Sequence, residues 1–108
     1  MKKIALITTG GTIAMKSNEF GLAEPLADGQ ELLSQLPDIE NVEIEIFNFR
    51  NIPGAHISHK DLMELRDLIV GLKEDGFYGV VITHGTDTME ETAYFLELTT
   101  DVNMSIVL

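Results

Sequence analysis

Short apolar runs alternate with amphipathic stretches along this chain. Residues 3–8 and 78–83 are apolar, β-compatible runs that each end at a loop containing glycine, as buried strands do. Residues 42–47 alternate apolar with mostly acidic positions, which is the period of two expected for a strand with one wetter face. Residues 104–108 form a last strand-like run. These patterns predict four strands.

Three helices are predicted between the strands. The first spans residues 28–36 and is stopped by Pro37. The second begins at Ser58, which forms a capping-box pattern with Asp61, and continues to residues 75–76. Its apolar residues recur at helical spacing and are Leu62, Leu65, Ile69 and Leu72.

The third helix is predicted to open at Asp87 and Glu90, a second capping-like pair. Its predicted buried side carries Met89, Ala93, Tyr94 and Leu96. Residues 15–27 contain serine, asparagine, glycine and proline, and we predict a loop there.

Strands and helices therefore alternate along the chain. Such an order is typical of a parallel sheet whose right-handed crossovers place helices on both faces. We predict an α/β fold of three layers, with a doubly wound and mainly parallel sheet, formed by residues 1–108 as one domain. Ligands of such sheets bind at the carboxyl ends of strands, which directs attention to residues 8–14 and 83–90.

The composition narrows the classes of function. The chain has 108 residues, 18 acidic and 7 basic side chains, a net charge of −11 and no cysteine. Without cysteine there is no disulfide framework, thiolate metal cluster or cysteine nucleophile. Nucleic-acid binding requires clustered Lys and Arg, so we expect no nucleic-acid partner. No apolar stretch approaches the length of a membrane span, and we expect a soluble, cytoplasmic protein without a membrane partner.

The loop after the first strand reads Thr8-Thr9-Gly10-Gly11-Thr12-Ile13-Ala14. Two consecutive glycines let the backbone turn sharply and present amide N–H groups to a ligand, and Thr12 adds a hydroxyl beside them. A plain glycine turn with a capping threonine explains the same residues. Neither nucleotide-binding fingerprint, GxGxxG or GxxxxGK[ST], is present in this loop.

The loop after the third strand combines hydroxyls with a carboxylate, in the run Thr83-His84-Gly85-Thr86-Asp87-Thr88-Met89-Glu90-Glu91-Thr92. Helix capping alone needs only one of these side chains. A hydroxyl nucleophile needs a proton acceptor, and an amino-acid ligand needs a carboxylate for its ammonium group. Asp87 is the candidate carboxylate and Thr86 the candidate positioned hydroxyl. His84 is predicted to be a packed residue at a strand end, hydrogen-bonded to the backbone.

These two loops resemble the two threonine motifs of the bacterial-type L-asparaginase family. The resemblance rests on residues 9–14 and 83–93, in this order and after the first and third strands. It implies an enzyme that hydrolyses the side-chain amide of L-asparagine, in some members also of glutamine. It further implies no metal or organic cofactor, and a homo-oligomer, dimer or tetramer, whose active sites are completed across subunit interfaces.

The resemblance also implies roles for individual residues. Thr12 would be the nucleophile that forms an acyl-enzyme, Thr86 the second catalytic threonine, and Asp87 the group that holds the substrate's α-amino group. Backbone amides near Gly11 and Thr86 are candidates for stabilising the oxyanion.

This sequence departs from the family pattern in three places. Residues 15–27 contain no tyrosine, where the family has a catalytic one on a mobile loop. Gly54, beside Ala55, takes the place of a serine in the turn that binds the substrate carboxylate. The family's lysine and second domain follow the strand at which this sequence stops. We therefore expect residues 1–108 to be an incomplete N-terminal domain, and the 108-residue chain alone to show little or no turnover.

Two alternatives remain open at this stage. The same departures fit a non-catalytic α/β module that binds an amino acid or regulates a partner. The two motifs also occur in a subunit of the tRNA-dependent amidotransferases, which usually carries an extra amino-terminal region. His56 and His59 lie three residues apart but lack a clear third ligand, so we assign no metal site to them.

Overall fold

Four parallel strands form the central sheet. They are β1 (Lys2–Thr8), β4 (Val42–Asn48), β5 (Gly79–Thr83) and β6 (Ser105–Val107), and they lie in the order β4-β1-β5-β6. The structure is a computed structural model, and it describes residues 2–9, 15–17, 23–25, 37, 39–50, 57–85, 88–101 and 103–108. Each strand falls where the apolar pattern predicts it, which confirms the α/β fold with a parallel sheet.

Two further strands lie where a loop is predicted. β2 (Met15–Ser17) and β3 (Ala23–Pro25) pair antiparallel in a separate two-stranded sheet. The prediction of a loop for residues 15–27 is therefore wrong over these two segments. A strand of three residues is too short to display a period of two, so the turn-forming residues around it dominate the pattern. The helix predicted for residues 28–36 lies outside the described residues.

The first described helix, α1 (His59–Glu74), begins with the predicted capping box. The hydroxyl of Ser58 accepts the backbone N–H of Asp61 at 3.1 Å, and the carboxylate of Asp61 accepts the backbone N–H of Ser58 at 2.9 Å. Two of the N–H groups that a helix start leaves unpaired are thereby satisfied, which fixes where the helix begins.

The carboxyl end of α1 is closed by a Schellman motif. Gly76 adopts a left-handed backbone, with φ of 89°, and donates its N–H to the carbonyl of Lys73 at 3.1 Å. Phe77 donates its N–H to the carbonyl of Leu72 at 3.1 Å, and both side chains are buried in the core. These bonds and this apolar contact define the motif, and they turn the chain from α1 into β5.

The second described helix, α2 (Met89–Thr99), differs from its prediction in two respects. Its N-cap is Thr88, so the predicted opening at Asp87 and Glu90 is wrong, and Asp87 itself lies outside the described residues. Ala93 is exposed and Tyr94 is 66% exposed, although both are predicted to be buried. The buried residues of α2 are Thr92 and Leu96.

The core lies between the sheet and both described helices. Ala5 and Ile7 of β1 stand in register with Val80 and Ile82 of β5, and these four side chains are at most 1% exposed. The same core cluster contains four helix residues: Leu65, Ile69 and Leu72 of α1, and Leu96 of α2. Both helices therefore pack on one face of the sheet, the face to which alternate strand residues point. In the part of the chain that the structure describes, no helix has the length and apolar character needed to cross a membrane.

Candidate functional site

The carboxyl ends of β4, β1 and β5 meet at one edge of the sheet. Thr8 at the end of β1 is in register with Asn48 of β4 on one side and with Thr83 of β5 on the other. Because the three strands are parallel neighbours, the loops that follow them begin side by side. This is the edge at which parallel sheets bind their ligands.

Thr9 joins the end of β1 to the end of β5. Its side chain is 2% exposed, its hydroxyl donates to the carbonyl of Thr83 at 2.5 Å, and its backbone N–H donates to the same carbonyl at 3.3 Å. Thr9 directly precedes the Gly-Gly-Thr motif, and Thr83 directly precedes His84 and the second motif. The two motif loops therefore leave the sheet from residues that are bonded to each other.

Thr8 joins the end of β1 to the end of β4. Its carbonyl accepts the backbone N–H groups of Phe49 at 3.1 Å and Arg50 at 3.0 Å. Its hydroxyl donates to Oδ1 of Asn48 at 3.1 Å. Residues 51–56, which carry the predicted substrate-binding turn, follow directly after Arg50. The start of this third loop is thus fixed against the start of the first.

Arg50 ties this edge of the sheet to the start of α1. Its guanidinium donates through Nε to Oδ1 of Asp61 at 3.1 Å and also pairs with Glu64, and it lies 4.3 Å from the ring centroid of Phe49. The backbone N–H and hydroxyl of Ser58, together with Arg50, hold the pKa of Asp61 below its ordinary value, because all three favour the carboxylate. Asp61 therefore acts as an anion that links the capping box to the end of β4.

His84 is buried between the end of β5 and α2. It is 3% exposed, with Nδ1 2.6 Å from the carbonyl oxygen of Gly85 and Nε2 2.8 Å from Oγ1 of Thr92. A carbonyl oxygen can only accept, so Nδ1 carries the proton that is donated to Gly85. The prediction that His84 is a packed residue bonded to the backbone is confirmed.

The hydroxyl of Thr83 has no hydrogen-bond partner among the described residues, although it is buried. Thr83 shares its sheet face with Thr8 and Asn48, with which it is in line across the sheet. Nearly all buried polar groups in proteins are satisfied, so an unpaired hydroxyl at a ligand-binding edge is a notable feature.

Clefts lie at both ends of the sheet. One of about 240 Å³ lies between the starts of α1 and α2, and its lining includes His59, Thr88, Glu91 and Thr92. Another, of about 760 Å³, lies at the opposite end of the sheet beside Lys2, Lys3 and Lys73. We assign the candidate site to the carboxyl edge, because the larger cleft contacts neither motif. The described residues contain no group of three or more His, Asp or Glu side chains placed to hold a metal ion.

Comparison with models of protein families shows the family to which the chain belongs. The family model described as "Asparaginase, N-terminal" matches residues 3–108. The chain belongs to the asparaginase family.

Individual relatives agree with this assignment and confirm the resemblance. The L-asparaginase of Bacillus licheniformis is 46% identical over 108 residues, which cover 98% of this chain and 34% of the relative. Among solved structures, the probable cytoplasmic L-asparaginase of Campylobacter jejuni has a TM-score of 0.88 at 36% identity, over 98% of this chain and 33% of that one. The thermostable L-asparaginase of Thermococcus kodakarensis has a TM-score of 0.84 at 26% identity, over 96% and 32%. This chain thus spans about a third of the length of these asparaginases.

The site residues predicted from the asparaginase motifs all lie outside the described residues. They are Gly11 and Thr12 in the first loop, Gly54 and Ala55 in the turn after β4, and Thr86 and Asp87 in the second loop. What the structure brings together are residues at the strand ends from which these loops depart: Thr9 is bonded to Thr83, and Arg50 is bonded to Thr8.

Sequence reasoning missed the roles of two residues at this edge. Thr9 stands before the glycines as an ordinary strand-end threonine, and nothing in the pattern indicates that it bonds to β5. Thr92 lies within the second motif, but the sequence pattern indicates no role for it. The available signal was its spacing from His84, eight residues on and one helical turn into α2, where a buried threonine meets the strand end.

Proposed function

We propose that this chain carries the nucleophile-bearing domain of an L-asparaginase, which hydrolyses the side-chain amide of L-asparagine to aspartate and ammonia. The observation that carries the proposal is the pair of bonds from Thr9 to the carbonyl of Thr83. They join the starts of the two threonine motifs, so that residues a short distance along each loop can act on one substrate. The match of the family model to residues 3–108 supports the same conclusion.

The proposed reaction has two steps. In the first, the Thr12 hydroxyl attacks the amide carbon and its proton passes to the departing nitrogen. Ammonia is released, and the acyl group remains bound to Thr12 as an ester. In the second, water attacks that ester, which releases aspartate and restores the hydroxyl. Backbone amides near Gly11 and Thr86 are proposed to stabilise the oxyanion that develops in both steps.

The remaining predicted residues are proposed to hold the substrate. Asp87 carries a carboxylate for the α-ammonium group, and Thr86 provides the second hydroxyl of the site. Gly54 and Ala55 are proposed to line the turn nearest the α-carboxylate. That turn starts from Arg50, whose N–H is fixed on the carbonyl of Thr8, so the third loop begins beside the first.

The proposal extends to the cellular location and the oligomeric state of the enzyme. We propose that the enzyme acts in the cytoplasm, by analogy with the probable cytoplasmic L-asparaginase of Campylobacter jejuni. We also propose that it is a homo-oligomer, dimer or tetramer, as the resemblance of its two threonine motifs implies. Sedimentation of the full-length gene product tests the oligomeric state directly.

The test is ammonia release from L-asparagine by the full-length gene product, with L-glutamine measured in parallel. We expect asparagine turnover, and we expect Thr12→Ala to lower kcat by about 1,000-fold or more, as removal of a catalytic nucleophile does. Thr99→Ala is the matched control, because Thr99 is an exposed threonine at the far end of α2 and should leave kcat unchanged. An inactive wild-type protein that still binds asparagine would favour the amino-acid-binding module instead.

A further inference from the structure

His84 is a buried titratable residue that the proposed mechanism does not use. It lies one residue after β5 and two residues before Thr86, and both of its ring nitrogens are within hydrogen-bond distance of a partner. Leaving a buried polar atom unpaired is costly, so each ring nitrogen needs a partner. The identity of the two partners therefore indicates the role of His84.

The partners fix the tautomer of His84. The carbonyl oxygen of Gly85 accepts a proton from Nδ1 at 2.6 Å, since a carbonyl cannot donate. In the neutral ring Nε2 is then an acceptor, and Oγ1 of Thr92 at 2.8 Å is the donor. Thr92 is 1% exposed and lies in α2, so the hydroxyl that donates to Nε2 is itself fixed in place.

The bond to Gly85 acts on the backbone of the second motif. A peptide unit is planar, so a hydrogen bond on the carbonyl oxygen of Gly85 fixes the plane of the peptide bond that leads out of residue 85. The next residues along the chain are Thr86 and Asp87. Control of this one plane therefore sets the direction in which the chain enters the loop.

We propose that His84 is a positioning residue: its Nδ1–H, on a ring that the hydroxyl of Thr92 holds in place, orients the Gly85 peptide, from which the chain continues to Thr86 and Asp87. This inference rests on the proposed function, because a loop needs accurate orientation only if it binds and transforms a substrate. Displacements of about 1 Å in such a site lower turnover by up to about 100-fold.

The two ring positions can be tested separately with amide side chains. The nitrogen of His84→Asn takes the place of Nδ1, so this variant keeps a donor for Gly85 and loses the contact with Thr92. The nitrogen of His84→Gln takes the place of Nε2, so this variant keeps a polar contact with Thr92 and loses the donor for Gly85. We expect kcat for asparagine within about 5-fold of wild type in His84→Asn, and lower by roughly 10- to 100-fold in His84→Gln.

Thr92 supplies a second, independent pair of variants. Thr92→Val keeps the volume of the side chain and removes the hydroxyl, and we expect it to lower kcat. Thr92→Ser restores the hydroxyl and should restore kcat. Thermal unfolding of every variant shows whether the order of kcat values merely follows the order of stabilities. If it does, His84 has a structural role only and the proposal is overturned.

A spectroscopic measurement on the wild-type protein does not depend on activity. The chain contains three histidines, so two-bond ¹H–¹⁵N spectra of histidine-labelled protein can be assigned by comparison with His84→Asn. We expect the Nδ1–H tautomer for His84, and finding the Nε2–H tautomer would overturn the proposal.

The outcomes separate the two proposals. If the wild-type protein is active and Thr12→Ala is not, but His84→Gln is as active as His84→Asn, the role of His84 is wrong and the proposed function stands. If the wild-type protein has no asparaginase activity, the proposed function fails and the positioning role fails with it.

Discussion

Thr9 and Thr83 show how two similar side chains at one edge are used differently. Both are buried, but the hydroxyl of Thr9 donates to a carbonyl at 2.5 Å, whereas the hydroxyl of Thr83 has no partner among the described residues. A buried hydrogen bond contributes about 1 kcal/mol, and a buried hydroxyl without a partner costs free energy instead. The two threonines should therefore respond in opposite directions to the same substitution.

We expect Thr9→Val to lower the free energy of unfolding by about 1 kcal/mol, because it keeps the volume and removes the bond. Thr83→Val should leave the stability unchanged or raise it. Thermal or urea unfolding of both variants of the full-length gene product measures the difference. A larger loss in Thr83→Val than in Thr9→Val would contradict the assignment of these hydroxyls.

The chemistry of single residues was only partly predictable from the sequence. The burial of His84 and its bond to the backbone followed from its place after an apolar strand. The link from Thr9 to β5 did not, because local sequence carries no information on which strand will be the neighbour. The candidate site residues Thr12, Thr86 and Asp87 were identified by motif and not by geometry, and their roles remain proposals.

At the scale of elements, two glycines near the end of α1 have opposite requirements. Gly76 has φ of 89°, which side chains rarely adopt, whereas Gly71 lies inside the helix with no atom within 4 Å of the place a Cβ would take. A residue with a Cβ in the left-handed region costs about 1–2 kcal/mol. Glycine inside a helix costs roughly 0.5–1 kcal/mol relative to alanine.

We expect Gly76→Ala to lower the melting temperature and Gly71→Ala to raise it, although both add one methyl group near the carboxyl end of α1. Thermal unfolding of the two variants is the measurement, and each serves as the control for the other. Equal shifts in the two variants would show that the Schellman motif does not determine how α1 ends.

The contribution of Asp61 to the stability of the fold, made at the start of α1, depends on pH. Its folded-state pKa is lowered by Ser58 and Arg50, so its carboxylate stabilises the fold above the pKa of the unfolded chain and loses this effect as pH falls through the folded value. We expect Asp61→Asn to lower the melting temperature at pH 7 and to differ less from wild type below about pH 4.

Asp67→Asn is the matched control for Asp61→Asn. Asp67 is an exposed carboxylate on the same helix, bonded to the adjacent Arg66. Its loss should change the melting temperature little at either pH, since exposed ion pairs contribute little. A pH-independent loss in Asp61→Asn would contradict the role of its carboxylate.

Elements with a long, regular pattern were predictable and short or ambiguous ones were not. The strands of the sheet and α1 carry clear periods and caps. The start of α2 offers three successive capping residues, Thr86, Asp87 and Thr88, and the local sequence does not choose among them. Apolar residues of α2 occur on all sides of the helix. Only the position of the helix over the sheet therefore decides that Thr92 and Leu96 are buried and Tyr94 is not.

At the scale of the whole molecule, the strand order predicts where the first crossover runs. The chain moves from β1 to β4 in one direction across the sheet, and from β4 to β5 and on to β6 in the other. Because parallel crossovers are right-handed, the first connection is expected on the face opposite α1 and α2. That face carries Leu6 and Val81. The helix predicted for residues 28–36, with its leucine stripe, would cover it and stays a prediction.

The bonds at the carboxyl edge also explain how much this architecture can diverge. The carbonyls of Thr8 and Thr83 and the N–H groups of Thr9, Phe49 and Arg50 all belong to the main chain. Side-chain substitution does not remove such groups, except where proline is introduced. The three loop starts can therefore be inherited while the sequence drifts, as the TM-score of 0.84 at 26% identity illustrates. Substitutions elsewhere in the sheet can therefore accumulate while the main-chain bonds between the ends of β1, β4 and β5 persist.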